Sequence, residues 1–216
     1  PKDTHLVIHL DINETILIGD NAGGDTSEES LHKILAKSAF VRIPDASVPL
    51  EEQEPKYWWD GSLIQESYRL EDSVPSLFTG WSWPEGCCPY YRTKYKEHAK
   101  RFANYHGSIY KETYSKLKEA ISWTSHGDHD IFQKHDVLHH LLPALFQTLE
   151  ALSSLDRPYS IVFRTMGSDL SDIASAVNVF ASGGHPAYPS FRDPSLVLPS
   201  DQLYVGRWKE GSNFND

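Results

Sequence analysis

The first sustained pattern in the chain is a run of strand-forming residues, Leu6-Val7-Ile8-His9-Leu10, that ends abruptly in the carboxylate of Asp11. Strand side chains point to alternate faces, so Leu6, Ile8 and Leu10 share one face and Val7, His9 and Asp11 the other. Residues 5 to 18 are expected to form a strand and a turn, and the Gly- and Asn/Asp-rich residues 19–25 a loop. Thr26 or Ser27 then caps a helix reaching about Ser38, with Glu28 and Glu29 in its first turn and Leu31, Ile34 and Leu35 as its apolar stripe. Residues 41 to 90 hold no period and are punctuated by proline, with Trp58-Trp59 and Trp81-Ser82-Trp83 expected to pin them to their neighbours. From Tyr90 to Trp123 aromatic residues recur at helical spacing, which predicts one helix interrupted near Gly107, or two helices. A further helix is expected over His135 to Leu155, where Leu138, Leu141, Leu142, Leu145, Phe146, Leu149 and Leu152 give a wide apolar face.

A second apolar run, Ser160-Ile161-Val162-Phe163-Arg164, ends in Thr165. After it, Ser168 or Asp169 is placed to cap a helix with core positions Leu170, Ile173, Ala174, Val177 and Phe180, closed by Gly183-Gly184. The remainder is rich in Pro and Ser, with a short strand candidate over Gln202 to Trp208.

Composition narrows the field. At 216 residues the chain accommodates one domain or a core with a sizeable insert. Hydrophobic content of 39% and charged content of 23% are ordinary for a folded globular protein. A formal net charge of −10 argues against non-specific nucleic-acid binding, although a local positive site for a phosphorylated small molecule is compatible with it. No apolar stretch approaches the ~20 residues that span a bilayer, and no signal-peptide pattern opens the chain. The only cysteines, Cys87 and Cys88, are adjacent; this suits neither a disulfide framework nor a metal site and points to a reducing, cytoplasmic setting.

In an open α/β sheet, ligands bind beyond the carboxyl ends of the strands. That places Asp11 to act as a nucleophile or a metal ligand. Leu10-Asp11-Ile12-Asn13-Glu14-Thr15 resembles the first motif of the haloacid dehalogenase superfamily, Asp-x-Asp-x-Thr after an apolar strand. The run ending in Thr165 is similar to that family's second motif, an apolar strand ending in Ser or Thr. The resemblance covers about two dozen residues, in the right order, with an insert between the motifs.

The resemblance implies a Rossmann-like α/β fold with a parallel sheet core formed by residues 1–18 and 156–216, and a large, mainly helical cap over residues 19–155. It implies a Mg²⁺-dependent phosphatase-type hydrolase acting on a small phosphorylated molecule. Asp11 would attack phosphorus and form an aspartyl phosphate, the Asp11 carboxylate and the Asn13 carbonyl would hold Mg²⁺, and Thr165 with the backbone amides of Met166 and Gly167 would bind the phosphate.

The chain departs from the family at two points. Asn13 stands where the phosphatases usually have an Asp that serves as acid and base, and an amide does not exchange a proton as a carboxylate does. Glu14 or His9 is chemically able to substitute. Otherwise the site turns over slowly, or binds phosphate ligands or proteins without catalysis. The family's basic third motif and acidic fourth motif are not found after Phe180; the native protein is expected to continue beyond Asp216, the alternative being a degenerate core.

Other candidates read as structure. The His126-Gly127-Asp128-His129-Asp130 stretch has no established zinc spacing and reads as a polar loop. The His139-His140 pair reads as part of the long helix, and Cys88 lacks an evident activating base. The aromatic wealth of six Trp, eleven Tyr and nine Phe reads as bulky packing, with a carbohydrate- or base-stacking surface as the rival.

Overall fold

A computed structural model describes residues 4–19, 24–69, 72–79, 83–124, 131–134, 138–204 and 206. It is a mixed α/β structure whose longest strands are parallel neighbours. Strand β1 (Leu6–Asp11) pairs with strand β6 (Tyr159–Arg164) in the register Leu6 with Tyr159 through Asp11 with Arg164. In this register alternation works on both strands at once. Leu10, Tyr159, Ile161 and Phe163 pack inward on the main core, while Val7, His9, Ser160 and Val162 face outward.

Between these strands lie, in chain order, helix α1 (Ser27–Ser38), strands β2 (Phe40–Arg42) and β3 (Cys87–Pro89), helix α2 (Lys111–Ala120), strands β4 (Gln133–Lys134) and β5 (Leu138–His139), and helix α3 (Pro143–Ser153). Helix α4 (Leu170–Ala181) follows β6. β2 pairs with β3, and β4 with β5, both antiparallel.

Helix α1 forms where its capping signals lie. The Glu29 N–H donates to the Thr26 hydroxyl, and the Thr26 N–H donates to the Glu29 carboxylate. This reciprocal cap satisfies two amides that a helix end otherwise leaves unpaired. Leu31 and Leu35 are buried and Ile34 is half-buried. Helix α4 likewise buries Ile173, Ala174, Val177 and Phe180 and ends at Gly183, whose φ of +79° suits a residue without Cβ.

Two sequence expectations are corrected. Residues 135–137 lie outside the described residues, and the leucine-rich stretch is not helical where description resumes. Leu138–His139 is a short strand, and the helix starts at Pro143, whose missing N–H and fixed φ suit the first helical position. Tyr90 to Tyr110 is a series of 3₁₀ turns, kinked at Arg101 (φ −130°), and α-helix begins only at Lys111. Gly107 shows why the chain is bent here: a Cβ on it would stand 2.4 Å from the Phe102 ring.

The apolar residues gather into two main clusters. One, beneath the β1–β6 pair, joins Ile12, Ile16 and Leu17 to Phe146, Leu149 of α3 and Val177, Phe180 of α4. The other is aromatic and packs Trp58, Tyr90, Phe102 and Tyr110 against Leu35 and Ala36 of α1. Trp58 stands edge-on to Phe102 and Tyr110, a favourable arrangement for ring quadrupoles. Trp59 donates its indole N–H to the Ser76 carbonyl, so the paired tryptophans do pin the irregular stretch. Trp81 and Ser82 lie outside the described residues, as does the strand candidate beyond Gly206 and at position 205.

Candidate functional site

Parallel pairing brings the carboxyl ends of β1 and β6 side by side. Asp11 closes β1, and Arg164 closes β6 as its register partner; both are exposed. Thr165 is the next residue. The Asp11 and Thr165 backbones therefore emerge at neighbouring strand tips, although 154 residues of chain separate them in sequence (165 − 11).

Beyond Asp11 the chain folds into a tight turn around one carbonyl. The N–H groups of Thr15, Ile16 and Leu17 converge on the Ile12 oxygen at 3.2, 3.0 and 3.0 Å, and Glu14 N–H donates to the Leu17 carbonyl at 2.9 Å. Glu14 sits at φ +58°, a left-handed conformation uncommon for a residue with a side chain. Its carboxylate is held by Lys33, at 2.9 Å, and by Lys37, both from α1.

The second loop closes on itself. Gly167 N–H donates to the Thr165 hydroxyl oxygen at 2.9 Å. That use of the oxygen as acceptor leaves the hydroxyl proton to donate elsewhere. It also reassigns Gly167: its amide orients Thr165 instead of standing free for a ligand. The space above Gly167 is where the two loops meet. A Cβ placed there would have Asp169 Oδ2 at 2.8 Å, Thr165 Oγ1 at 3.4 Å and Asn13 Nδ2 at 3.7 Å as its three nearest atoms.

The structure thus brings Asn13, Thr165 and Gly167 together. The Asp11 carboxylate is not among the three nearest atoms, and the Met166 side chain is 88% exposed, so Met166 offers this site only its backbone. Asp169 is the residue that sequence reasoning missed. Expected as a helix cap, it stands at the N-cap of α4 without a side-chain cap bond, 3% exposed, with its carboxylate turned back toward Thr165 and Asn13. The Thr-x-Gly-x-Asp spacing was its only trace in the sequence.

A ladder of opposite charges backs the first loop. Lys37 and Lys33 bind Glu14, Lys33 also binds Asp25, and Lys100 binds Asp25 at 2.5 Å. Burial pushes the Glu14 carboxyl up, but the bonds from Lys37 and Lys33 outweigh it and hold the group below its ordinary range. Burial acts the same way on Asp25 and is outweighed by Lys100 and Lys33. Glu14 is therefore committed to two ammonium groups and ill placed to replace Asn13 as a proton carrier.

Asp11 is exposed at the end of β1. Among the described residues no group of three His, Cys, Asp or Glu side chains forms a metal cage.

The 126–130 stretch lies outside the described residues. His139 is half-buried against Trp123, and burial lowers its pKa. Cys88 is buried, and its thiol is pushed up to about 11, mainly by burial, which is the wrong direction for a nucleophile. Among the described residues no helix is long and apolar enough to cross a membrane. No family model, no curated protein and no solved structure matches the chain.

Proposed function

We propose that the protein is a Mg²⁺-dependent phosphoryl-transfer hydrolase of haloacid dehalogenase type, with a Rossmann-like core, a cap over residues 19–155 and a small phosphorylated substrate in the cytoplasm. The observation that carries this reading is the parallel pairing of β1 and β6, which sets Asp11 and Thr165 at adjacent strand tips, with Thr165 Oγ1 and Asn13 Nδ2 converging over Gly167.

In this reading an Asp11 oxygen bonds to phosphorus as the ester P–O bond breaks, and the electron pair leaves with the departing oxygen, which takes up a proton. Water then attacks the aspartyl phosphate, releasing inorganic phosphate and restoring the Asp11 carboxylate. Thr165 donates its hydroxyl proton to a non-bridging phosphate oxygen, and Met166 N–H adds a second donor near the start of α4. The Asp11 carboxylate and the Asn13 carbonyl would hold Mg²⁺, which would supply charge neutralisation between the two anions. Asn13 cannot carry the proton, so that task falls to Asp169, the carboxyl beside Asn13 and Thr165.

Phosphate release from 4-nitrophenyl phosphate with Mg²⁺, together with beryllium fluoride trapping, tests the reading. Asp11→Asn is expected to abolish turnover, and Asp169→Asn to lower it by about 10²–10⁴-fold. Equal behaviour of wild type and Asp11→Asn rejects it. The amide at position 13 favours one alternative, a scaffold that binds phosphate ligands or proteins without catalysis. Beryllium fluoride binding with no phosphate release selects that alternative.

A further inference from the structure

A second cleft, of about 640 Å³, opens where the last turn of α1 meets the 3₁₀ turn that follows β3. Its walls include Lys37, Glu51, Trp83, Tyr91, Arg92 and Lys96. The volume falls within the range of small-molecule sites.

Charge is distributed unusually here. The chain carries 30 acidic and 20 basic residues, yet this cleft has three cations against the single carboxylate of Glu51. All three cations lie over ring faces, and two of them have no carboxylate partner among the described residues: Arg92 lies 4.9 Å from the centre of Trp83, and Lys96 lies 5.3 Å from the centre of Tyr91. A ring face holds a cation without neutralising it, so both remain able to receive an anion. Lys37 lies 5.1 Å from the Tyr91 ring and also binds Glu14, which ties the cleft to the loop that carries Asn13. Trp83 is 41% exposed, offering indole surface for stacking.

We propose that this cleft binds a small planar ring bearing a phosphate, a nucleotide-like ligand, as a site separate from the chemistry at Asp11. The ring stacks on Trp83, the phosphate is received by Arg92 and Lys96 with Lys37 in reach, and Glu51 accepts a hydrogen bond from a ring amine or sugar hydroxyl. Uncharged rings lack the anion and inorganic phosphate lacks the ring, so neither alone satisfies both halves of the cleft.

Calorimetric titration of the full chain without Mg²⁺ tests this, with AMP and UMP as probes against adenosine, uridine and inorganic phosphate. At least one nucleotide is expected to bind about ten-fold or more tightly than its nucleoside and than phosphate. Trp83→Ala and the double variant Arg92→Gln/Lys96→Gln, all at exposed positions, are each expected to lose about ten-fold or more in that affinity while the circular dichroism spectrum is kept. Added salt is expected to weaken nucleotide binding and to spare nucleoside binding. The proposal is overturned if neither nucleotide outbinds its parts, or if both variants bind as wild type does. It is also overturned if Asp11→Asn removes a binding that Trp83→Ala leaves intact, which puts the ligand at the strand tips. Loss of phosphatase activity alone does not bear on it, because the titration contains no metal and no turnover.

Discussion

Replacing Gly167 by Ala would put a methyl carbon 2.8 Å from a buried Asp169 oxygen, closer than side-chain carbons pack. The Asp169 carboxylate, in a residue only 3% exposed, or the loop must give way, and either motion disturbs the packing over Gly167. Gly167→Ala is therefore expected to cost about 1–3 kcal/mol in thermal stability and to lower phosphate-analogue affinity more than Ser168→Ala, a neighbouring substitution at an exposed position. Beryllium fluoride titration of the two variants checks the ordering. At this scale part of the site was legible. The strand-tip positions of Asp11 and Thr165 announce themselves because a polar residue at the end of an apolar run marks a strand tip. Asp169 and the inward task of the Gly167 amide did not, because the path of a short strand-to-helix loop follows no period. Only the closure of that loop on the Thr165 hydroxyl reveals which side chains it turns back.

Single elements repeat the lesson. Of the two caps the sequence offered for α1, Thr26 and Ser27, the structure uses Thr26 and closes a capping box with Glu29. Thr26→Ala is expected to destabilise the protein by about 1 kcal/mol, read as a lower chemical-denaturation midpoint with an unchanged slope. Where capping chemistry and periodicity agree, as in α1, sequence and structure coincide; in α4 the periodicity holds although Asp169 makes no side-chain cap bond. Where they conflict, periodicity misleads. Leu138, Leu141, Leu142 and Leu145 have helical spacing, but Pro143 supplies no N–H to an earlier turn and suits the first position of a helix. The aromatic spacing from Tyr91 to Tyr105 serves a cluster packed on Trp58 and Tyr90, and the backbone meets it in 3₁₀ turns, a state whose side-chain pattern differs little from that of an α-helix over so few residues.

At the scale of the whole molecule, the charge ladder Lys37–Glu14–Lys33–Asp25–Lys100 fastens the first loop to α1 and to the turns around Lys100. Glu14 and Asp25 have depressed pKa values when folded. Their ordinary values are about 4.3 and 3.9. Carboxyls depressed in this way add stability that is complete above the ordinary values and is lost as pH falls through the folded ones. Melting temperature is thus expected to drop below about pH 4, and Glu14→Gln to flatten that drop. Lys33→Met removes the central rung, whose side chain is 11% exposed. The expected loss at neutral pH is about 2–3 kcal/mol, under the value for a fully buried pair because Lys37 and Lys100 still serve the two acids. None of this was readable beforehand, since charge pairing between distant segments leaves no periodic mark.

The matched alternation of the two long strands works as a ruler. With Leu10 and Phe163 seated in oil on one side, Asp11 and Arg164 have only one place to surface. Sliding either strand by a single residue would drown a charged group and strand an apolar one in water. The cost of that exchange is what keeps the acid at its post, so the accuracy of the strand tips is set by the greasy residues beneath them.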